Sequence, residues 1–229
     1  MNKVRFKDSI KYLPVAILSV YALMSITSFW ISHERELIDI FDDDAYYYFK
    51  IARNIVETGR LTFDGKSVTN GFHPLWLIVL IPFFIIWDDP ILVLRPIGTF
   101  SVILAALTGY LGLHYLFRYS ILSYTLAAGL LLACVVSFGS TGMEVTILLP
   151  LLVIALIKLE QIRPWHASSG FKKVVALGLI LSLVQLARLD AVFLILVILA
   201  LVLLTNRTPN NQSKPLALGL LPFITGACS

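Results

Sequence analysis

Three consecutive carboxylates, Asp42, Asp43 and Asp44, follow a long apolar run by about eleven residues and precede, after Ala45, the aromatic run Tyr46, Tyr47, Tyr48 and Phe49. Charges of one sign this close repel each other, which makes one of the three fit to take a proton from a reacting hydroxyl. The same residues can also do plainer work at the head of a helix. One can cap the first turn while its neighbours complement the positive end of the helix dipole. Capping uses one acid and leaves a row of three unexplained.

A second polar set lies at 69–76, where Thr69, Asn70, Gly71, Phe72, His73, Pro74, Leu75 and Trp76 read as a glycine turn with proline in the first turn of a following helix. Asn70 and His73 offer directed hydrogen bonds suited to an anionic headgroup or an acceptor hydroxyl, and Trp76 suits an interfacial anchor. Glu144 follows Thr141, Gly142 and Met143 between two apolar runs. It can cap a helix N-terminus, or, as an ionisable group at a membrane boundary, meet a metal or an acceptor hydroxyl. Arg188 and Asp190 break a third apolar stretch. They can pair locally, or Arg188 can bind a phosphate, which guanidinium suits best. The aspartate run contains the Asp-x-Asp spacing that holds a metal in soluble nucleotide-sugar enzymes, but no nucleotide-binding domain accompanies it. The chain has no glycine-rich phosphate loop, zinc helix or nucleophile elbow.

The elements that must position these groups are apolar. Hydrophobic residues make up 58% of the 229, against about 45–50% in a soluble domain, and charged ones only 14%. With a mean hydropathy of +0.86, the sequence implies an all-α integral membrane protein. The net charge of +4 comes from short basic clusters beside apolar runs, a topology signal that implies no nucleic-acid partner. Cys134 and Cys228 have neither disulfide nor metal-ligand spacing and are expected to pack. Spans are expected at 12–31, 93–117, 120–138, 144–159, 174–188 and 191–205, with an incomplete run at 216–229. That last run has at most 14 residues, so the chain is expected to be the N-terminal piece of a longer protein.

Within the loop 32–92, periodicity predicts an amphipathic helix over 44–57. Its apolar face comprises Tyr47, Tyr48, Ile51, Ala52, Ile55 and Val56, its polar face Lys50, Arg53, Asn54 and Glu57, and Gly59 is its stop. It should lie along the membrane surface with its tyrosines at headgroup level. The run 74–87 holds Pro74 and Pro82 and is short for a span. Read as re-entrant or in-plane, it leaves the basic N-terminus, Arg118, Lys158, Arg163, Lys172, Lys173, Arg207 and Lys214 on one face, as the positive-inside rule prefers. The N-terminus is then cytoplasmic. The loop 32–92, the turn before Glu144 and the Arg188–Asp190 break share the outer face.

In this order the motifs resemble the GT-C superfamily of membrane glycosyltransferases, which use polyprenyl-phosphate sugars and include bacterial protein mannosyltransferases and arabinofuranosyltransferases. The likeness rests on Asp43, Asp44, Ala45 and Tyr46, on Phe63, Asp64 and Gly65, on 69–76, on Gly142, Met143 and Glu144, and on Ala187, Arg188 and Asp190. It implies a multi-pass helical bundle in the cell membrane and inverting sugar transfer to a cell-envelope glycan or protein on the outer face. Asp43 would then be the general base, assisted by Asp44, with Asp42, Asn70, His73, Glu144, Arg188 and Asp190 around the substrates. Arg188, His73 or a divalent metal ion would assist phosphate departure. A transporter or lipid-binding membrane protein is the alternative from another class, but it should carry ionisable groups in mid-membrane. Here only His114 and Gln185 lie inside apolar stretches. An inactive, truncated scaffold is a third.

Overall fold

The structure, a computed structural model, describes residues 3–116, 121–138, 141–162 and 171–205. The helices are α1 Lys3–Ile31, α2 Glu34–Ile40, α3 Asp43–Thr58, α4 Pro74–Ile86, α5 Leu94–Leu116, α6 Ile121–Phe138, α7 Val145–Ile162, α8 Phe171–Ala187 and α9 Val192–Thr205. A 3-10 turn, Leu189–Ala191, joins the last two. Among the described residues the sole extended pairing is an antiparallel bridge from Thr62 to Val68. The expected runs from 12–31 to 191–205 become α1 and α5–α9; the run 216–229, Cys228, and Arg118, Arg163, Arg207 and Lys214 lie outside the described residues. Among the described residues, three helical segments, Tyr12–Ile31, Leu94–Tyr115 and Val145–Ile162, are long and apolar enough to cross a membrane.

The chain forms two units, Met1–Pro150 and Leu151–Ser229. In the first, α1 and α5 run antiparallel and pack closely, because glycines on α5 make room for bulky side chains on α1. A Cβ at Gly98 would stand 2.4 Å from the Phe29 ring, and one at Gly109 2.7 Å from Leu18. Gly112 likewise admits Leu131 of α6. Small residues of this kind let apolar helices approach where lipid competes equally for apolar side chains. At one end of the pair, the Arg95 guanidinium donates to the carbonyls of Trp30 and Ser32, and the Trp30 indole donates to Thr99 Oγ1 at 3.0 Å. A cation on the last carbonyls of α1 satisfies acceptors that the helix cannot satisfy itself.

Residues 32–92 fold at that same end. In α2, which the sequence reading did not include, Leu37 is buried and the Glu36 carboxylate accepts the His33 N–H. The helix is short, and its signal is only this three-residue spacing. The amphipathic helix expected over 44–57 is α3, closed by Gly59 in the left-handed conformation at φ 68°. Its buried face packs on α4, where Tyr48, Phe49, Ile51 and Ala52 meet Trp76, Leu77, Leu80 and Phe84 in one core. Fully burying side chains of this size contributes ~1.5–3 kcal/mol each where the alternative is water.

Two expectations change here. Asn54, assigned to the polar face, is buried, because its amide donates to the carbonyls of Thr62 and Phe63 at 2.7 and 3.1 Å. Trp76, expected as an interfacial anchor, is 0% exposed, and its indole donates to the Gly142 carbonyl at 2.9 Å.

Helix α4 spans 13 residues, ~20 Å at 1.5 Å per residue. Its first turn is tied to Gly142 by Trp76, and its last turn reaches α5, with Phe83 5.5 Å from Phe100. Gly142 itself lies against Phe41, which packs 5.6 Å from Phe29 near the end of α1. Both ends of α4 are therefore at one end of the α1–α5 pair.

In the second unit, α8 stops at Ala187, Arg188 is extended, and α9 resumes after the 3-10 turn. That is the expected break at Arg188 and Asp190. Gln185 is more than a packing contact, since its amide donates to the Leu189 carbonyl across the break at 2.6 Å. Cys134, expected to pack, is exposed on α6.

Gly142 combines two constraints that can be separated. Its φ is 71° and a Cβ would fall 2.5 Å from the Phe41 ring, whereas Gly59, at φ 68°, has nothing within 4 Å. Gly59→Ala should cost ~1–2 kcal/mol of backbone strain, and Gly142→Ala a further ~1–3 kcal/mol of overpacking. Thermal unfolding of the solubilised chain should rank them in that order; equal shifts would remove the packing role of Gly142.

Candidate functional site

A helix turns about 100° per residue, so the three aspartates cannot share a face. Asp42 is the N-cap residue of α3 by backbone conformation, yet its carboxylate makes no capping hydrogen bond. Its N–H instead donates to the Thr141 carbonyl at 3.3 Å, tying the first turn of α3 to the 141–144 turn. Asp43 and Asp44 occupy the first turn, and all three carboxylates are exposed.

Asp43 shares its face with Tyr46, Tyr47, Lys50 and Arg53, spaced at helical intervals. This face lines a cavity of about 480 Å³. Phe49 contributes from the adjoining face, Phe63 from the segment after α3, and Phe84 and Pro90 from the end of α4 and beyond. The result is a mostly aromatic recess with one carboxylate and two cations along a single helix. The Arg53 guanidinium pairs with Glu57 one turn on.

Comparison with protein-family models, curated proteins and solved structures returned no match.

Asp44 does not line the cavity. It lies on the face of Tyr48, one turn on, and Tyr48 stacks on His73 with ring centroids 6.4 Å apart. His73 Nε2 lies 3.7 Å from Glu144 Oε1; Glu144 is 3% exposed, at the start of α7. The structure thus brings together three motifs distant in sequence, joined by the Asp42–Thr141 and Trp76–Gly142 hydrogen bonds and by the His73–Glu144 pair. Asn70 is exposed and lines no part of the recess. Arg188 and Asp190 belong to the second unit. There the guanidinium Nε donates to both carboxylate oxygens, at 2.9 and 3.1 Å, so the local pairing expected of them is present.

Residues 61–69 form a tight hairpin that carries Phe63 to the cavity wall. Its neck is the Thr69 N–H to Leu61 carbonyl bond at 3.1 Å. Its tip is organised by Asp64, whose carboxylate accepts the N–H groups of Ser67 and Lys66 and the Thr62 hydroxyl. Those donors hold its pKa below the ordinary carboxylate value, the Ser67 and Lys66 N–H groups foremost. Tyr47 bonds Thr69 through its hydroxyl, and its ring stacks on Phe63 at 4.9 Å. Beyond α4, the Asp89 carboxylate accepts the N–H groups of Leu92 and Ile91, which lower its pKa, with Arg53 adding a smaller effect. The Tyr46 phenol is pushed up to about 12, by burial first and then by the charges of Asp39 and Asp43. It stays protonated at neutral pH and donates to the Ile38 carbonyl at 2.7 Å.

Among the described residues, no three His, Cys, Asp or Glu side chains gather to hold a metal ion. Lys50, Arg53, Asn54 and Phe63 were not singled out in sequence as site residues. The spacing of Asp43, Lys50 and Arg53 along one helical face was a usable signal for two of them.

Asp64 gives a pH prediction with a definite sign. Because its folded-state pKa is lowered, its charge stabilises the hairpin above the ordinary carboxylate range of about pH 4, and that contribution is lost as pH falls through the lowered value. Protection of the Lys66 and Ser67 amides, taken as exchange relative to the intrinsic rate at each pH, should fall at acid pH in the wild type. Asp64→Asn, which keeps an acceptor oxygen but no charge, should make the rate of opening insensitive to that titration. An unchanged acid response in the variant would show that another group controls the hairpin.

Proposed function

We propose that this chain is a multi-pass membrane glycosyltransferase that moves a sugar from a polyprenyl-phosphate donor to an acceptor hydroxyl at the outer face of the cell membrane, with inversion. The observation that carries the reading is the recess along α3, where one carboxylate, two cations and several aromatic rings line a cavity of about 480 Å³ at one end of an apolar helical pair. Inverting displacement needs a base and a phosphate-holding cation on opposite sides of the anomeric carbon. Asp43 and Lys50 are seven residues apart on one face, which separates them by ~10 Å along the axis.

In this scheme the acceptor oxygen attacks the anomeric carbon and its proton passes to Asp43. The bond from that carbon to the phosphate oxygen breaks, and the polyprenyl phosphate leaves with the electron pair. Lys50 and Arg53 offset the charge that grows on the phosphate, a role Arg53 can take because its guanidinium is held beside the cavity by Glu57. The polar corner of Asp44, Tyr48, His73 and Glu144 serves acceptor positioning. The topology belongs to the same proposal: α1 and α5–α9 cross, the N-terminus is cytoplasmic, and α4 lies in the outer leaflet. In support, α4 is shorter than the ~30 Å apolar layer, has both ends at one end of the α1–α5 pair, and exposes Ile78, Ile85 and Ile86. The transporter alternative gains nothing from His114, which stacks on Tyr110.

The test is sugar transfer in membranes containing a radiolabelled polyprenyl-phosphate sugar pool. Asp43→Asn should lower the rate ~10²–10⁴-fold, the usual worth of a positioned base, while the labelled donor accumulates. Unchanged transfer at equal expression would end the general-base assignment.

A further inference from the structure

Asn54 is a buried polar residue on a helix that otherwise buries apolar groups. A buried amide without partners is costly, so both of its recorded bonds matter, and both go to the backbone of residues 62 and 63. The hairpin needs no such link to form its own turn, since the Asp64 contacts and the Leu61–Thr69 bond lie within it. What Asn54 adds is a fixed position of the hairpin relative to α3. The consequence falls on Phe63, which is 45% exposed, stacks on the Tyr47 ring and is part of the cavity lining.

An aromatic ring with one face on Tyr47 and a place in the lining of a recess offers a recognition surface of defined chemistry. The face of an aromatic ring is negative, and it attracts the polarised axial C–H bonds of a saturated ring laid against it. Lys50 and Arg53 on the same cavity fix the direction of an attached anion.

We infer that Phe63 is a specificity-determining residue that recognises the sugar ring of the donor, and that Asn54 is a positioning residue acting through the backbone of residues 62 and 63. This rests on the glycosyl-transfer reading for the identity of the ring. Phe63 selects for the ring and not for the phosphate or the lipid, so its removal should alter the preference for a glycosylated over a bare lipid phosphate.

The experiment is equilibrium binding to the full chain in lipid nanodiscs, with farnesyl phosphate and with its mannosyl, glucosyl and arabinosyl derivatives as probes. In the wild type one glycosylated probe should bind at least tenfold more tightly than farnesyl phosphate. Phe63→Ala should abolish that advantage and leave farnesyl phosphate binding unchanged, and Phe63→Trp should restore it. Asn54→Ala should lose the advantage too, and the double variant should lose no more than either alone, because both changes remove one interaction. A purely structural Asn54 would weaken all probes and add to the loss from Phe63→Ala. Equal weakening of all four probes by Phe63→Ala, or no weakening, overturns the inference while leaving the phosphate site standing. If wild type binds farnesyl phosphate but prefers no glycosylated form, the inference also falls. If wild type binds none of the four, the glycosyl-transfer reading fails and takes the inference with it.

Discussion

The hydrogen bond from the Trp76 indole to the Gly142 carbonyl is the constraint on which the polar half of the first unit depends. It joins the start of α4 to the turn before α7, 66 residues away, inside a core where an unmade bond is costly. The geometry works only because residue 142 has no side chain, which lets the Phe41 ring sit against its Cα and brings the Thr141 carbonyl to the Asp42 N–H. Once these are in place, His73 and Glu144 have little choice about meeting. One buried indole thus sets the register of three motifs.

On that frame, helix geometry assigns the acids different surroundings. Asp42 serves the backbone, Asp43 faces the aromatic recess with Lys50 and Arg53, and Asp44 shares the side of Tyr48 that stacks on His73. Three adjacent identical residues become three inequivalent groups without any special local chemistry. Their repulsion is eased because each points elsewhere, into water or along the positive end of the helix dipole.

Much of the fold was legible because membrane-type helices announce themselves by length and apolarity. The limits of α1, α5 and α9 fall within a few residues of the apolar runs, apart from the basic start of α1, and the break at Arg188 is visible as two charges in a hydrophobic stretch. Counting crossings put the acidic run, the His-Pro segment, the Gly-Met-Glu turn and the Arg188–Asp190 break on one side; the structure joins the first three within one unit, while Arg188 and Asp190 belong to the other. What sequence could not give was the identity of buried partners. Asn54 looks like a surface residue by its period, and its burial depends on a hairpin whose approach no local pattern encodes. Trp76 looks like an interface anchor because tryptophan often is one, and its bond to Gly142 exists only in three dimensions. Lys50 and Arg53 lay on the expected polar face, but that the face lines a recess depends on Phe84 and Pro90, more than thirty residues further on.

The clamp of Arg95 on the end of α1 has a consequence for biogenesis. The residues it joins, Trp30 and Arg95, are 65 positions apart, so the last carbonyls of α1 acquire this cap only after the whole intervening segment has left the ribosome. At ordinary elongation rates that interval is several seconds, long compared with the microseconds in which α3 or the hairpin can form. Helices α2 to α4 therefore have time to assemble on an open scaffold before α5 arrives and locks the segment's two ends together. The recess can therefore be built before the clamp closes, and the Trp76–Gly142 bond, which waits for residues made later still, is added after it.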